Sequence, residues 1–170
     1  MPIWSKLKRA VEGLLADSVR RHLQLYMTHY RPGVSYFMAR AWVTWDGREI
    51  AAFSTIQHWR ERTALVRHLQ TGNVAIASRL AEEQADTALE ERGVFSQSAF
   101  YDALTEYISL SIGEALRSPN TLIRAWSMFD RRLGKRRLRT LRIIENDAAL
   151  VRQCYQLRLE AEGIAPDESR

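Results

Sequence analysis

The pair Asp46-Gly47 is the sequence feature that most constrains how this chain can fold. It separates two runs, residues 36–45 and 48–55, that are rich in aromatic and β-branched side chains. Asp-Gly suits the two central positions of a tight hairpin turn, where both residues take a positive φ. The sequence therefore predicts a β-hairpin. Residues 22–30 alternate apolar and polar side chains and are predicted to add a strand that ends at Pro32-Gly33.

A two-residue turn also fixes which hairpin residues face each other. Trp45 would oppose Arg48, and counting on along both strands gives two faces. The face expected to pack on the core holds Ala39, Ala41, Val43, Trp45, Ile50 and Ala52. The opposite face holds Arg40, Trp42, Thr44, Glu49, Ala51 and Phe53.

The second face suggests a function. Arg40, Trp42 and Phe53, extended by Tyr26 and Tyr30 of the preceding strand, would form a platform of aromatic and basic groups on which unpaired bases can stack. The alternative is that helices bury the sheet on both faces. We favour burial, because many helical segments must be placed around one small sheet.

The rest of the chain has helical spacing. An amphipathic segment precedes the first strand, and from His58 onward apolar residues recur every three or four positions. Ser96 and the capping box Ser111 to Glu114 predict two helix starts, Ser118-Pro119 predicts a third, and Gly134 predicts a helix end. The expected fold class is α+β, with an N-terminal helix, a small antiparallel sheet and a helical C-terminal two thirds. Residues 1–165 would form one domain and residues 166–170 a loose tail.

Composition excludes several classes of protein. The 170 residues are 46% hydrophobic and 26% charged, which is typical of a globular domain and not of a disordered chain. A single cysteine, Cys154, cannot form an internal disulfide, so a reducing cytoplasm is the expected compartment. The apolar stretch near the N-terminus is too short for an export signal or a membrane span.

Charge is polarised along the sequence. Residues 117–142 contain nine basic residues and one acidic residue, Asp130, for a net charge of +8. Residues 79–114 contain eight acidic and two basic residues, for a net charge of −6. The positive segment includes a group that we call the basic corner, namely Arg131, Arg132, Lys135, Arg136, Arg137 and Arg139. Leu133 and Leu138 lie among these residues and are expected to anchor the corner to the fold.

The basic corner has two interpretations. Together with Arg124 it could contact DNA or RNA, because arginines displace counterions and bind phosphate oxygens. Alternatively the same residues pair with acidic helices of their own chain or of a partner, in which case the protein serves in interaction or self-association.

Enzymatic chemistry has little sequence support. No glycine-rich phosphate loop or nucleophile motif is present, and no cofactor is implied. His22 and His29 would point to opposite faces of a strand, and His58 with Glu61 lacks a third ligand, so no metal site is predicted. A nuclease or other hydrolase assembled from Asp130, Glu114 and the arginines is the third hypothesis.

Three stretches of the chain resemble a known family. They are Trp4-Ser5-Lys6-Leu7-Lys8, the hairpin segment from Arg40 to Ile50, and the segment from Leu122 to Leu138 with its Asp130-Arg131-Arg132-Leu133-Gly134-Lys135-Arg136-Arg137-Leu138 run. In order and content they resemble a family of small uncharacterised bacterial proteins, and the ending from Leu157 to Gly163 fits as well. The resemblance implies a bacterial, cytoplasmic, single-domain protein, and it carries no activity, cofactor or site residue.

Overall fold

The computed structural model describes residues 3–28, 39–71, 78–141 and 147–165 of the chain. Several expectations concern residues outside these ranges. They involve Tyr30, Pro32-Gly33, Arg142 and the tail from residue 166.

The described residues form nine helices and three strands, in the order helix, helix, three strands, seven helices. The bounds are α1 Trp4–Leu14, α2 Asp17–Arg20, β1 Leu23–Met27, β2 Arg40–Trp45, β3 Arg48–Ser54, α3 Thr55–Thr71, α4 Ser78–Glu91, α5 Gln97–Tyr107, α6 Ile112–Arg117, α7 Thr121–Met128, α8 Lys135–Thr140 and α9 Ala149–Glu162. The expected α+β class, with one small antiparallel sheet and a mainly helical C-terminal part, is confirmed.

The sheet has the order β1-β2-β3 and both pairings are antiparallel. The predicted hairpin is confirmed, since Asp46 has a φ of 49° and Gly47 a φ of 76°. Trp45 pairs with Arg48, as the turn requires.

The register predicted beyond the turn is wrong. Thr44 pairs with Glu49 but the next residue, Val43, pairs with Ala51, so Ile50 is an extra residue on β3. Such a bulge moves every later side chain of its strand to the other face. The residue opposite Ala41 is therefore Phe53 and not the predicted Ala52. Phe53 consequently does not share a face with Arg40 and Trp42.

The face of the sheet that holds Val43 and Phe53 packs on the core. Leu25, Val43 and Phe53 are buried there, and the Phe53 ring stacks on Phe100 of α5 with centroids 4.3 Å apart. Trp45 stacks on Phe129, just after α7, at 5.9 Å. Helices α5 and α7 thus cover this face.

The opposite face is mostly open. Arg40, Glu49 and Ala52 are exposed, Trp42 is half-buried, and Thr44 is the buried residue of this face. The expectation that helices cover both faces of the sheet is therefore wrong.

Two predicted helix starts are confirmed and one is corrected. The Ser96 side chain accepts the Ala99 amide at the start of α5, and the capping box of Ser111 and Glu114 is formed at the start of α6. Helix α7 begins after Asn120, whose side chain caps it, and not at Pro119. The Ser118 hydroxyl accepts the amide of Asn120 itself, whereas Asn120 Oδ1 accepts the amides of Leu122 and Ile123 in the first turn of the helix.

The predicted helix end at Gly134 is also wrong. Helix α7 ends at Met128, and Gly134 occupies the N-cap position of α8 with a φ of −67°. Arg131 and Arg132 consequently lie in a turn between two helices and not in the last turn of a helix.

The acidic part of the chain pairs with α3. Helices α3 and α4 pack against each other, and Arg62 of α3 binds Asp86 and Glu82 of α4. Glu61 of α3 binds Arg92, which follows α4, at 2.9 Å.

Among the described residues, none of the helices combines the length and apolarity that crossing a bilayer requires.

Candidate functional site

The turn between α7 and α8 is built around the buried carboxylate of Asp130. Its Oδ1 accepts the backbone amide of Arg132 at 2.7 Å, and its Oδ2 accepts the hydroxyl of Tyr107 at 2.6 Å. The Arg132 guanidinium donates to both oxygens and also to the Leu110 carbonyl. Burial and this carboxylate raise the pKa of Tyr107, which therefore stays a donor. Asp130 thus fixes the course of the turn.

Arg158 of α9 binds the same turn from the interior of the protein. Its Nη1 donates to the Phe129 carbonyl at 3.1 Å, and its Nη2 donates to the Leu133 carbonyl at 3.3 Å. The side chain is almost fully buried, and this desolvation lowers its pKa, while Glu162 at 2.9 Å supplies the counter-charge. Arg158 could not be predicted from the sequence, because nothing local distinguishes it from other helical arginines.

Glu162 joins three elements. It accepts the Ser18 hydroxyl of α2 at 2.6 Å and binds Lys135 of α8 at 2.8 Å, in addition to Arg158. Burial raises its pKa, but the hydrogen bonds and the cations lower it by more, so the net shift is downward. The start of α8 is thereby linked to α2 and α9.

The predicted phosphate-binding residues fall into two groups. Arg124 lies 3.9 Å from Asp147, while Arg132 and Lys135 are bound to Asp130 and Glu162, so these three have partners inside the protein. The other four are exposed, and in the described part of the chain no carboxylate lies within ion-pair distance of them. This second group consists of Arg131, Arg136, Arg137 and Arg139.

The apolar residues of the corner lie as expected. Leu133 and Leu138 are fully buried and pack with Leu159 of α9. The exposed arginines therefore project from backbone that is fixed to the core.

A surface cleft of about 670 Å³ adjoins the corner. Its walls come from the start of α2, the turn before α8 and the end of α9. Arg21, Arg131 and Lys135 contribute cations to it, and Asp17 and Glu162 contribute carboxylates. The cleft is thus polar and of mixed charge.

The model of the SF0329 protein family matches residues 3–159. The chain belongs to the SF0329 protein family. The expectation of an uncharacterised family is thereby confirmed. No curated protein and no solved structure matches the chain.

The SF0329 match covers the basic corner, Asp130 and Arg158, and it ends before Glu162. Asp130 and Arg158, the buried frame of the turn, therefore lie within the family's matched range, whereas the carboxylate of Glu162 lies outside it.

In this SF0329 family member, no ion pair between described residues joins the basic corner to the acidic side chains of residues 79–114. Ion pairs of the corner go to Asp130 and Glu162, neither of which belongs to residues 79–114. The acidic side chains of α4 that form ion pairs bind Arg62 and Arg79 instead.

The predicted stacking platform is only partly assembled. Tyr26 and Trp42 stack with centroids 5.1 Å apart, and the Arg40 guanidinium lies 5.2 Å from the Trp42 centroid. Arg40 also binds Glu49, and Phe53 lies on the buried face. Both rings of the outer face thus already have partners within the chain.

The third hypothesis, a nuclease or other hydrolase, relies on Asp130 and Glu114. The described ranges contain no group of three or more histidine, cysteine, aspartate or glutamate side chains that could hold a metal ion. Asp130 is engaged by Arg132 and Tyr107, and Glu114 is engaged in its capping box, which lowers its pKa.

Proposed function

We propose that this protein is a non-catalytic binding protein whose basic corner contacts the phosphates of DNA or RNA. The observation that carries the proposal is the exposure of Arg131, Arg136, Arg137 and Arg139, none of which forms an ion pair among the described residues. Arginine side chains without internal partners are free to bind phosphate oxygens and to release counterions.

Local charge and rigidity support the proposal. Helix α8 contains four basic residues and no acidic residue. Leu138 and the frame of Asp130 and Arg158 hold the backbone beneath these residues. A fixed scaffold loses less conformational entropy on binding than a free basic arm does.

The decisive experiment measures affinity for a duplex and for a single strand as a function of salt. Affinity should fall between about 50 and 200 mM salt, with a log–log slope of about 0.9 for each duplex phosphate neutralised. The variant R136Q/R137Q removes two of the exposed guanidinium groups. It should bind more weakly, and its slope should be shallower by roughly 1 for each lost contact.

A control with the same change of net charge is R48Q/R79Q, which alters two exposed arginines outside the corner. It should bind as the natural protein does. If neither duplex nor single strand binds at low salt, or if both double variants lose affinity equally, the proposal is wrong.

The same variants test the assembly alternative. If R136Q/R137Q lowers thermal stability or changes the molecular mass in solution, the corner has a structural or assembly role instead.

A further inference from the structure

The α3–α4 hairpin is the least buried part of the described fold. Helix α3 is 17 residues long and has no buried residue. Its main contacts are with α4 and with the end of β3. In α4, Ala81, Ala85 and Leu89 are fully buried, and their spacing of four places them on one face of the helix. Helix stability in proteins comes mostly from packing of an apolar face, so a long helix with so little packing is unusual.

Helix α3 carries an apolar stripe that the fold leaves partly exposed. Ile56, Trp59 and Val66 recur at spacings of three and seven, which places them on one face of the helix. Trp59 is 52% exposed, and Leu80 of α4 is 48% exposed. Only Ile3 is also exposed among the large hydrophobic side chains of the described ranges.

The two helices of the hairpin carry opposite charge. Helix α3 has three arginines and one glutamate, whereas α4 has five acidic residues and one arginine. Part of this charge is used within the hairpin by Arg62 and Glu61. Arg60 and Arg67 of α3 and Glu90 and Glu91 of α4 are exposed and form no ion pair within the described part of the chain.

A hairpin with one basic and one acidic helix is complementary to itself. A two-fold axis places the same surface on both sides of an interface, so α3 of one copy can meet α4 of the other twice. Like-charged pairing, α3 on α3, would be repulsive, and this selects the antiparallel arrangement.

The available area is sufficient for a modest dimer. A helix of this length spans about 25 Å, and two packed helices are about 20 Å wide, which gives a face of about 500 Å². Two such faces bury about 1,000 Å² in total, the lower limit for a specific interface.

We propose that the α3–α4 hairpin is a dimerisation surface, on which a second copy of this chain docks with its α4 against α3. This inference is independent of nucleic-acid binding, because the basic corner takes no part in it.

The first test is the mass of the unmodified protein in solution, measured by sedimentation between about 1 and 100 µM. The expected result is a concentration-dependent species of twice the 19.7 kDa chain mass. A monomer throughout this range overturns the proposal.

The second test exchanges the charges of the two helices. R60E/R67E gives α3 a net charge of −2, so both helices are acidic. E90R/E91R brings α4 from −4 to neutrality and sets two arginines against the basic α3, so each variant alone should be monomeric. An equimolar mixture should form a heterodimer, because the glutamates introduced in α3 of one variant then meet the arginines introduced in α4 of the other. Circular dichroism checks that both variants fold.

R136E/R137E is the matched control, since it reverses two exposed arginines of the basic corner and should leave the dimer unchanged. If the two charge-exchanged variants remain dimeric alone, or if the control abolishes the dimer, the interface lies elsewhere and the proposal is wrong.

Discussion

The Oδ2 atom of Asp130 and the Nη2 atom of Arg132 lie 2.7 Å apart, although a single residue separates them in the sequence. This ion pair turns Arg132 inward, where its guanidinium also lies 5.9 Å from the centroid of the Tyr107 ring. Its neighbour Arg131 is exposed and forms no ion pair with any described residue. Of two adjacent arginines, one is thus part of the fold and the other is available to a partner.

Asp130→Asn should destabilise the protein by about 2–3 kcal/mol, because it leaves the Arg132 guanidinium without its counter-charge in a partly buried site. Urea denaturation at neutral pH measures the loss. Asp102→Asn, at an exposed position of α5, is the control and should change the free energy of unfolding by less than about 0.5 kcal/mol. Equal effects of the two changes would show that the buried ion pair contributes nothing.

Glu162 should make stability depend on acid pH. Its pKa in the folded protein is below the usual 4.5, because the hydrogen bonds from Lys135 and Ser18 and the Arg158 charge outweigh its burial. The stabilisation that it provides is therefore complete above about pH 4.5 and is lost as the pH falls through the lower folded pKa. Glu162→Gln should lower the melting temperature at pH 7, and the difference from the natural protein should shrink below pH 4.5.

Glu160→Gln, an exposed change two residues away, is the control for Glu162 and should leave the pH dependence as it is. A difference between Glu162→Gln and the natural protein that stays constant from pH 7 to pH 3 would contradict the assigned role.

Phe53→Ala should cost about 3–5 kcal/mol, because it removes a fully buried ring from its stack on Phe100. Trp42→Ala removes a larger side chain from the open face of the sheet and should cost clearly less. Chemical denaturation of both variants compares them. If Trp42→Ala is the more destabilising change, the corrected assignment of faces is wrong.

The hairpin shows which part of the fold can be predicted from the sequence. Its turn is local, since Asp46 and Gly47 alone satisfy the requirement for positive φ. The bulge at Ile50 has no comparable local signal. We attribute it to the packing of Phe53 against Phe100, a contact between distant parts of the chain.

The basic corner could likewise be predicted only in part. Its charge and its anchors Leu133 and Leu138 are evident in the sequence, and burial of both leucines is confirmed. Which basic residues have internal partners could not be predicted, because Asp147, the partner of Arg124, and Glu162, the partner of Lys135, lie far from them along the sequence. The misplaced helix end had a different cause, since glycine is typical of positions after a helix but also fits an N-cap.

Gly134→Ser should stabilise the protein by about 0.5–1 kcal/mol. Gly134 is the N-cap of α8 with an ordinary φ of −67°, it provides no side-chain cap, and an added Cβ meets no atom within 4 Å. Serine would supply an oxygen for a free amide of the first turn and would restrict the unfolded chain. Thermal and urea unfolding measure the gain, and nucleic-acid affinity should not fall because no charge is removed. Gly47→Ser is the contrasting control: its φ of 76° disfavours any side chain, so it should destabilise by roughly 1 kcal/mol. A loss of stability in Gly134→Ser would mean that α8 does not begin at Lys135.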